Sequence, residues 1–326
     1  MKILITGGAG FIGSYLCERL LKQGHTIFVL DNLSTGRREN LTALGLNRRL
    51  VFKKGSVLNQ SDLRPLVAKC DQIYHLAAAV GVKLVVEKPL ESFIINTEGT
   101  RNILVLAAPR KIPVLITSSS EVYGKNTHLP FKEDDDRVYG SVYNERWGYA
   151  LSKTADEFLG LAYWRERGLP VVVVRLFNTV GPRQTGRYGM VIPRLVDQAL
   201  RQQPLTVYGN GKQIRSFGYV EDVVDGMIKL FNFKKAYGEI FNLGSPEPVT
   251  INALAKLVRR MTKSVSPIVH VPYEKAYNKN FEDMLVRVPD ITKAKRFIGY
   301  HPSHSLKDIL QKVIVYYATP ERFSKI

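Results

Sequence analysis

The first half of the chain alternates short runs of β-branched residues with longer stretches in which apolar positions recur every three or four residues. Continuous short apolar runs predict strands buried on both faces. The longer periodic stretches predict helices packed across them, so the pattern is one of repeated βαβ units around a parallel sheet. Strands are predicted at Lys2–Thr6, Thr26–Asp31, Arg49–Lys54, Gln72–Ala77, Val114–Ser118 and Val171–Phe177, with helices near Ser14–Gln23, Glu91–Ala108 and Trp147–Arg167. Beyond residue 178 proline and glycine become frequent, as at Gly181-Pro182, Pro204, Gly209, Gly211 and Pro246, and helical stretches shorten around strands predicted at Leu205–Tyr208 and Glu239–Leu243. The expected architecture is α/β: a doubly wound parallel sheet over 1–178 and a smaller α/β region over 179–326, with the chain crossing between them more than once.

Composition narrows the class. The chain has 326 residues, 45% hydrophobic and 23% charged, which excludes disordered, collagen-like and coiled-coil proteins. No apolar run reaches the roughly 18 residues that cross a bilayer. The opening MKILITGG leads into a glycine loop rather than an apolar leader, so a cytoplasmic protein with no membrane partner is expected. Two cysteines, Cys17 and Cys70, cannot build a disulfide framework or a four-ligand zinc site, and no metal is expected. The net charge of +18 is scattered in pairs such as Arg37-Arg38, Arg48-Arg49 and Arg259-Arg260. That distribution reads as a solvated basic surface that steers anions, with no specific nucleic-acid site.

Gly7-Gly8-Ala9-Gly10-Phe11-Ile12-Gly13 follows a predicted strand and opens a predicted helix. In that context Gly7 permits the tight turn, Gly10 lets backbone approach a pyrophosphate at the helix N-terminus, and Gly13 permits close helix–sheet contact. Asp31 ends the second strand, where a carboxylate accepts from an adenosine ribose and repels a 2′-phosphate, so NAD is expected over NADP, with Arg37 and Arg38 tempering the choice. Ser56 stands at the end of the third strand, where many such folds place an aspartate for adenine.

Tyr149 and Lys153 share one face of a predicted helix at i, i+4. A tyrosine of ordinary pKa near ~10 is a poor base at neutral pH, and a nearby ammonium stabilises its phenolate. A Tyr-x-x-x-Lys pair alone is common on helical surfaces. Here it follows both a dinucleotide loop and a strand ending Thr117-Ser118-Ser119-Ser120-Glu121-Val122-Tyr123-Gly124.

The whole pattern resembles the extended short-chain dehydrogenase/reductase family, in its nucleotide-sugar epimerase/dehydratase branch. The resemblance covers nearly the full chain and includes, in order, the glycine loop, His75-Leu76-Ala77-Ala78, Asn96 with Gly99, the serine strand, Tyr149/Lys153, Arg175-Leu176-Phe177-Asn178, Gly181-Pro182-Arg183 and Arg215-Ser216-Phe217-Gly218-Tyr219-Val220. It implies a bound, recycled NAD that oxidises a sugar at C4, with Tyr149 taking the hydroxyl proton, Ser119 bonding O4 and Lys153 also binding the nicotinamide ribose. The implied cofactor contacts are Gly7, Gly10, Phe11, Ile12, Gly13, Asp31, Asn32, Ser56, Val57, Leu76, Ala77, Ala78, Asn96, Ser118, Tyr149 and Lys153. For the nucleotide-diphosphate sugar, UDP-linked by resemblance alone, the implied contacts are Asn178 and Arg215 on phosphates, Arg183 and Arg194 as added charge, Val191, Thr206 and Tyr208 along the base and ribose, and Arg287 and Lys83 near the cleft. His75 reads as a packing residue. The helices Glu91–Ala108 and Trp147–Arg167 resemble the pair that forms a homodimer interface in this family.

Ser120-Glu121 discriminates among reactions. Dehydratases of the branch usually carry Asp-Glu there, so Ser120 lacks their acid. UDP-glucuronate decarboxylases carry a serine–glutamate pair, and decarboxylation, with Glu121 catalytic, leads. A UDP-sugar 4-epimerase stays open as the alternative, because the segment AAAVGVK at 77–83 resembles epimerase loops and Thr185 stands where glucuronate epimerases tend to place an arginine. A 4,6-dehydratase or a non-enzymatic NAD- or RNA-binding relative is less favoured.

Overall fold

The computed structural model describes residues 1–319 apart from 43, 46, 187, 188 and 277–281, with the side chains of Val82 and Lys83 also outside the described set. The first half runs β1 (Lys2–Thr6), α1 (Phe11–Lys22), β2 (Thr26–Asp31), α2 (Glu39–Thr42), β3 (Leu50–Lys54), α3 (Gln60–Val67), β4 (Gln72–His75), α4 (Val82–Glu87), α5 (Pro89–Ala107), β5 (Val114–Ser119), α6 (Arg146–Arg167) and β6 (Val171–Leu176). The second half adds β7 (Thr179–Val180), α7 (Val191–Leu200), β8 (Leu205–Tyr208), β9 (Ile214–Ser216), β10 (Gly218–Tyr219), α8 (Val220–Asn232), β11 (Glu239–Leu243), β12 (Pro248–Thr250), α9 (Ile251–Met261), β13 (Ile268–Val271), α10 (Tyr273–Ala276), β14 (Val286–Arg287), α11 (Thr292–Ile298) and α12 (Leu306–Ala318).

Seven strands form one sheet in the order β11-β6-β5-β4-β1-β2-β3, every pairing parallel. Each strand is apolar on both faces because helices cover both. In β1, Ile3 and Ile5 enter one apolar cluster and Leu4 the other; in β6, Val172 and Val174 face the first and Val171 and Val173 the second. The strand order reverses between β4 and β1, which opens a crevice at their carboxyl ends.

Most expected ends shift by a residue or two, and three differences bear on the cleft and the sheet. Helix α1 begins at Phe11 rather than Ser14, because Gly10 is already its N-cap and its carbonyl accepts from Ser14 at 3.0 Å. Strand β4 stops at His75, since the next residues turn back on β1: Leu76 N–H donates to Thr6 O at 3.1 Å and Ala77 N–H to Thr6 Oγ1 at 3.2 Å. Strand β11, assigned by sequence to the second region, pairs with β6 from Glu239↔Val172 to Leu243↔Leu176 and extends the main sheet. The second region shares its apolar cluster with one face of that sheet, so no boundary between separate cores falls at residue 178. Among the described residues no helix is long and apolar enough to cross a membrane.

Candidate active site

A continuous cleft of about 770 Å³ runs from the carboxyl ends of β1–β4, past the end of β5 and the start of α6, to α7, β9 and β14. It falls in the range of a cofactor or substrate site. The glycine loop forms one end. Gly7 has φ +73, and a Cβ there would lie 2.8 Å from Ala77 N, so the β1 and β4 loops can touch only through glycine. A Cβ on Gly13 would sit 2.3 Å from Gly7 O, which fixes how closely α1 approaches the loop. These absent side chains leave the backbone cradle that a dinucleotide pyrophosphate requires. Asp31 receives Ala9 N–H at 3.0 Å and Leu33 N–H at 2.8 Å, so its carboxylate braces the loop as well as facing the cleft. Burial pushes its pKa up, against those two hydrogen bonds. Asn32, Ser56, Val57, Leu76, Ala77 and Ala78 line the same end.

At mid-cleft, Ser119 ends β5 in extended backbone and its hydroxyl accepts from Glu121 N–H at 3.2 Å, capping a single turn over Ser120–Tyr123 that brings Glu121 to the cleft wall. Ser118 donates to Glu157 at 2.5 Å, and Glu157 also takes Arg175 through two bonds of 2.9 Å and Arg137 at 2.7 Å. Ser118, Ser119, Ser120, Glu121, Tyr149 and Lys153 all line the cavity. Tyr149 is hydrogen-bonded to Ser119.

The expected lowering of the Tyr149 pKa by Lys153 is corrected by the structure. Burial first, then the Glu121 charge, push the Tyr149 hydroxyl up, while the Ser119 hydrogen bond and Arg287 pull it down. The Lys153 ammonium instead donates to buried Asp156 at 3.1 Å. His75 bridges Thr6 at 2.8 Å and Thr100 at 3.1 Å, and burial followed by Lys153 holds its pKa down to about 3, so it is a neutral packing residue.

The far wall is a buried ladder of charge. Arg146 donates from Nη2 to Glu121 at 3.1 Å and from Nη1 to Asp283 at 3.0 Å. Arg287 donates to Glu121 at 2.8 Å, and Arg215 Nη2 reaches both Asp283 oxygens at 3.0 Å. Despite burial, Arg146 and Arg287 keep Glu121 below the ordinary carboxylate range. Arg215 is pushed down to about 10 by burial and then by Arg287, and remains cationic at neutral pH.

Other expected substrate contacts divide. Asn178, Arg183, Val191, Arg194, Tyr208, Arg215 and Arg287 line the cleft. Arg183 lies against α1, donating to Glu18 at 2.7 Å and Ser14 at 3.3 Å. Arg194 stacks on Tyr208 at 3.8 Å, and its Nε and Nη1, like Arg287 Nε, are buried with no hydrogen-bond partner among the described residues. These are donors suited to an anionic ligand. Two expected contacts are absent from the cavity lining. Asn96 is buried, its amide accepting from Ala79 N–H at 2.8 Å and donating to Ser152 at 3.0 Å, so it ties the β4 loop to α6. Thr206 is bonded to Gln198 at 2.9 Å beside α7. The Lys83 side chain lies outside the described residues. Sequence reasoning missed Arg146, Asp283, Tyr273, Asp156 and Glu157. Arg146 was within reach, because it stands at i−3 from Tyr149 on the same helix face; Asp283 sits in irregular chain and carries no local signal.

A glycine cradle at a switch point, opening on a Ser/Tyr/Lys constellation and an arginine-lined wall, defines a dinucleotide-dependent enzyme acting on an anionic substrate. The chain belongs to the NAD-dependent epimerase/dehydratase family, whose pattern matches residues 3–244. It is similar to the UDP-N-acetyl-alpha-D-glucosaminuronate decarboxylase of Bacillus cytotoxicus, at 44% identity over 97% of both chains. It is also similar to UDP-glucuronic acid decarboxylase 1 of Danio rerio, at 37% identity over 97% of this chain and 72% of that protein. In structure it resembles UDP-glucuronic acid 4-epimerase from Bacillus cereus in complex with UDP-glucuronic acid and NAD, with TM-score 0.87, 30% identity and coverage of 97% and 98%. NAD is the cofactor of this family, and the glycine cradle, Asp31 and Lys153 fit it.

Proposed function

We propose that this enzyme decarboxylates a UDP-linked uronate through a transient 4-ketone. The donors at the sugar end carry the reading: Arg146 and Arg287 converge on Glu121 beside Ser120, Tyr149 and Lys153, and Arg287 Nε is buried with no hydrogen-bond partner among the described residues. A carboxylate at C6 of the sugar is a charged acceptor for that donor, which the hydroxymethyl group of a neutral hexose is not. The relatives named for UDP-N-acetylglucosaminuronate and UDP-glucuronate make these two sugars the substrates to test.

Gly7, Gly10, Gly13, Asp31 and Lys153 would hold NAD, which when bound takes and returns the hydride at C4. Tyr149 accepts the C4 hydroxyl proton once its own proton has been released, and the change that favours release is transfer of the Lys153 ammonium from Asp156 toward the phenol one helical turn away. Ser119 orients that oxygen. The 4-ketone turns the C6 carboxylate into a β-keto acid: the C5–C6 bond breaks, carbon dioxide leaves, and its electron pair enters an enolate that takes a proton at C5 from water, after which Tyr149 gives its proton back to the C4 oxygen. Arg146 and Arg287 keep Glu121 ionised, so it orders the wall against which the uronate carboxylate lies. Ser120 supplies no acid, which disfavours loss of water.

A second reading, 4-epimerisation of the same uronate, is favoured by the small residues of the Ala77–Gly81 segment in the cleft wall. Proton NMR of the NAD-loaded enzyme with each uronate separates the two. A UDP-pentose or its 2-acetamido analogue with carbon dioxide supports decarboxylation; a 4-epimer of unchanged mass refutes it. The protein acts as a homodimer through α5 and α6, which pack on each other and leave Leu90, Phe93, Ile94, Leu151 and Phe158 exposed. Its location is cytoplasmic, which suits the free buried thiols Cys17 and Cys70.

A further inference from the structure

Asp283 stands in irregular chain just before β14 and faces the cleft. Its Oδ1 accepts from Arg146 and Arg215, each at 3.0 Å, and from Met284 N–H at 2.9 Å. Its Oδ2 accepts from the Tyr273 hydroxyl at 2.7 Å and again from Arg215 at 3.0 Å. The residues on either side are anchored too. Glu282 accepts from Trp147 Nε1 at 3.1 Å and pairs with Lys125 at 3.3 Å, and Met284 is 1% exposed in an apolar cluster with Tyr123, Trp147 and Phe177. Swinging Asp283 out would pull Met284 from that cluster and leave two buried guanidiniums short of an anion. Asp283 is therefore a fixture of the wall and not a stand-in for a substrate anion.

Two consecutive acids, Glu282 and Asp283, thus grip two consecutive residues of α6, Arg146 and Trp147, and Tyr149 follows on the same helix. The side chains alternate in sign from Arg215 through Asp283, Arg146 and Glu121 to Arg287. We propose that Asp283 is a positioning residue that acts through Arg146 to hold the Glu121 carboxylate beside Tyr149, and through Arg215 to lock that arrangement to the phosphate-binding wall. The proposal rests on the cleft being a nucleotide-sugar site. Among the described residues, the charged and titratable groups facing Glu121 are Arg146 and Tyr149 from α6, Arg287 from β14, Arg215 from β9, and Asp283. Asp283 is the carboxylate among them and raises the Glu121 pKa, so its loss makes Glu121 ionise at lower pH.

The test uses the NAD-loaded enzyme carrying Asp283→Asn, assayed with whichever UDP-sugar the wild type turns over. The expected result is a fall in kcat of about tenfold or more with KM within about threefold. The acid limb of the kcat/KM profile moves to lower pH, and in a Glu121→Gln background Asp283→Asn costs less than about threefold, because both act through one group. A profile scaled down uniformly at every pH, or independent losses in the double variant, overturns the proposal. A wild type that yields a 4-epimer without carbon dioxide overturns the decarboxylase reading instead and leaves these comparisons intact. Substrate-free enzyme with ¹³C-labelled glutamate reads the same effect directly: the Glu121 signal, identified by its loss in Glu121→Gln, titrates lower in Asp283→Asn, and an unmoved midpoint refutes the proposal. Should the Asn variant not fold, Asp283→Glu keeps the charge and lengthens the arm; kcat falls while the acid limb stays, and a wild-type kcat is the refuting result.

Discussion

Replacing Glu121 by Gln removes one negative charge from the wall and leaves the shape nearly unchanged. Glu121 accepts from Arg287 at 2.8 Å and from Arg146 at 3.1 Å, with its side chain 11% exposed and those of Arg287 and Arg146 14% and 4% exposed, so solvent screening is slight. Neutralising one partner of a buried ion pair leaves the other charge uncompensated and costs about 3–5 kcal/mol. An unfolding entropy of about 2.1 cal/mol/K per residue converts that, for this chain, to a fall in Tm of about 4–7 °C by calorimetry. The chemistry should suffer more than the fold. Glu121 orders the wall that positions the uronate carboxylate, and misplacing a substrate by about 1 Å costs about a hundredfold in rate, so carbon dioxide release drops by about that factor. Oxidation at C4 depends on Tyr149 and continues, so the bound cofactor is expected to remain partly reduced, read by its near-ultraviolet absorbance. Carbon dioxide release within about threefold of wild type, after correction for folded protein, would refute the reasoning.

Tyr149→Phe keeps the ring and removes the hydroxyl; turnover should fall by about a thousandfold or more with NAD content unchanged, measured by product NMR and by cofactor released on denaturation. Gly13→Ala drives a methyl group to 2.3 Å from Gly7 O, so the purified protein should lose most of its NAD, checked by the same release assay. Glu157→Gln breaks the buried contact with Arg175, 0% exposed, and should cost about 3–5 kcal/mol at neutral pH. Because Arg175 holds the Glu157 pKa below its ordinary value in the fold, that contribution is full above the unfolded value and fades as pH falls through the folded one; denaturation curves of wild type and variant should converge in acid. Phe158→Glu places a charge on the apolar face of α6, where Phe158 is 68% exposed, and should shift the sedimenting mass from two chains to one; a wild type already at one chain removes the dimer.

Sequence alone determined what depends on neighbouring residues. The alternation of apolar runs marked the six strands from β1 to β6, because a strand buried on both faces must be apolar throughout. Gly7 and Gly13 marked the loop proposed to hold the dinucleotide, since a Cβ at either position would run into backbone. The i, i+4 spacing put Tyr149 and Lys153 on one face before any tertiary contact was known. The Lys153–Asp156 pair was equally legible at i, i+3, and it reverses the simplest account of how Tyr149 is activated.

Only the tertiary structure decided the rest. Strand β11 joins the main sheet because its partner β6 lies far back in the chain, and pairing at such separation leaves no local mark. The same holds for the wall opposite Tyr149. Glu121 and Arg287 meet across 166 residues and Arg146 and Asp283 across 137, and each pair acquires its energy from burial and distance, which no window of sequence contains. The sequence thus marked the glycine loop proposed to hold NAD and the hydroxyl proposed to face the sugar. The fold determined the charge the sugar meets, because an ion pair depends on what surrounds it in space.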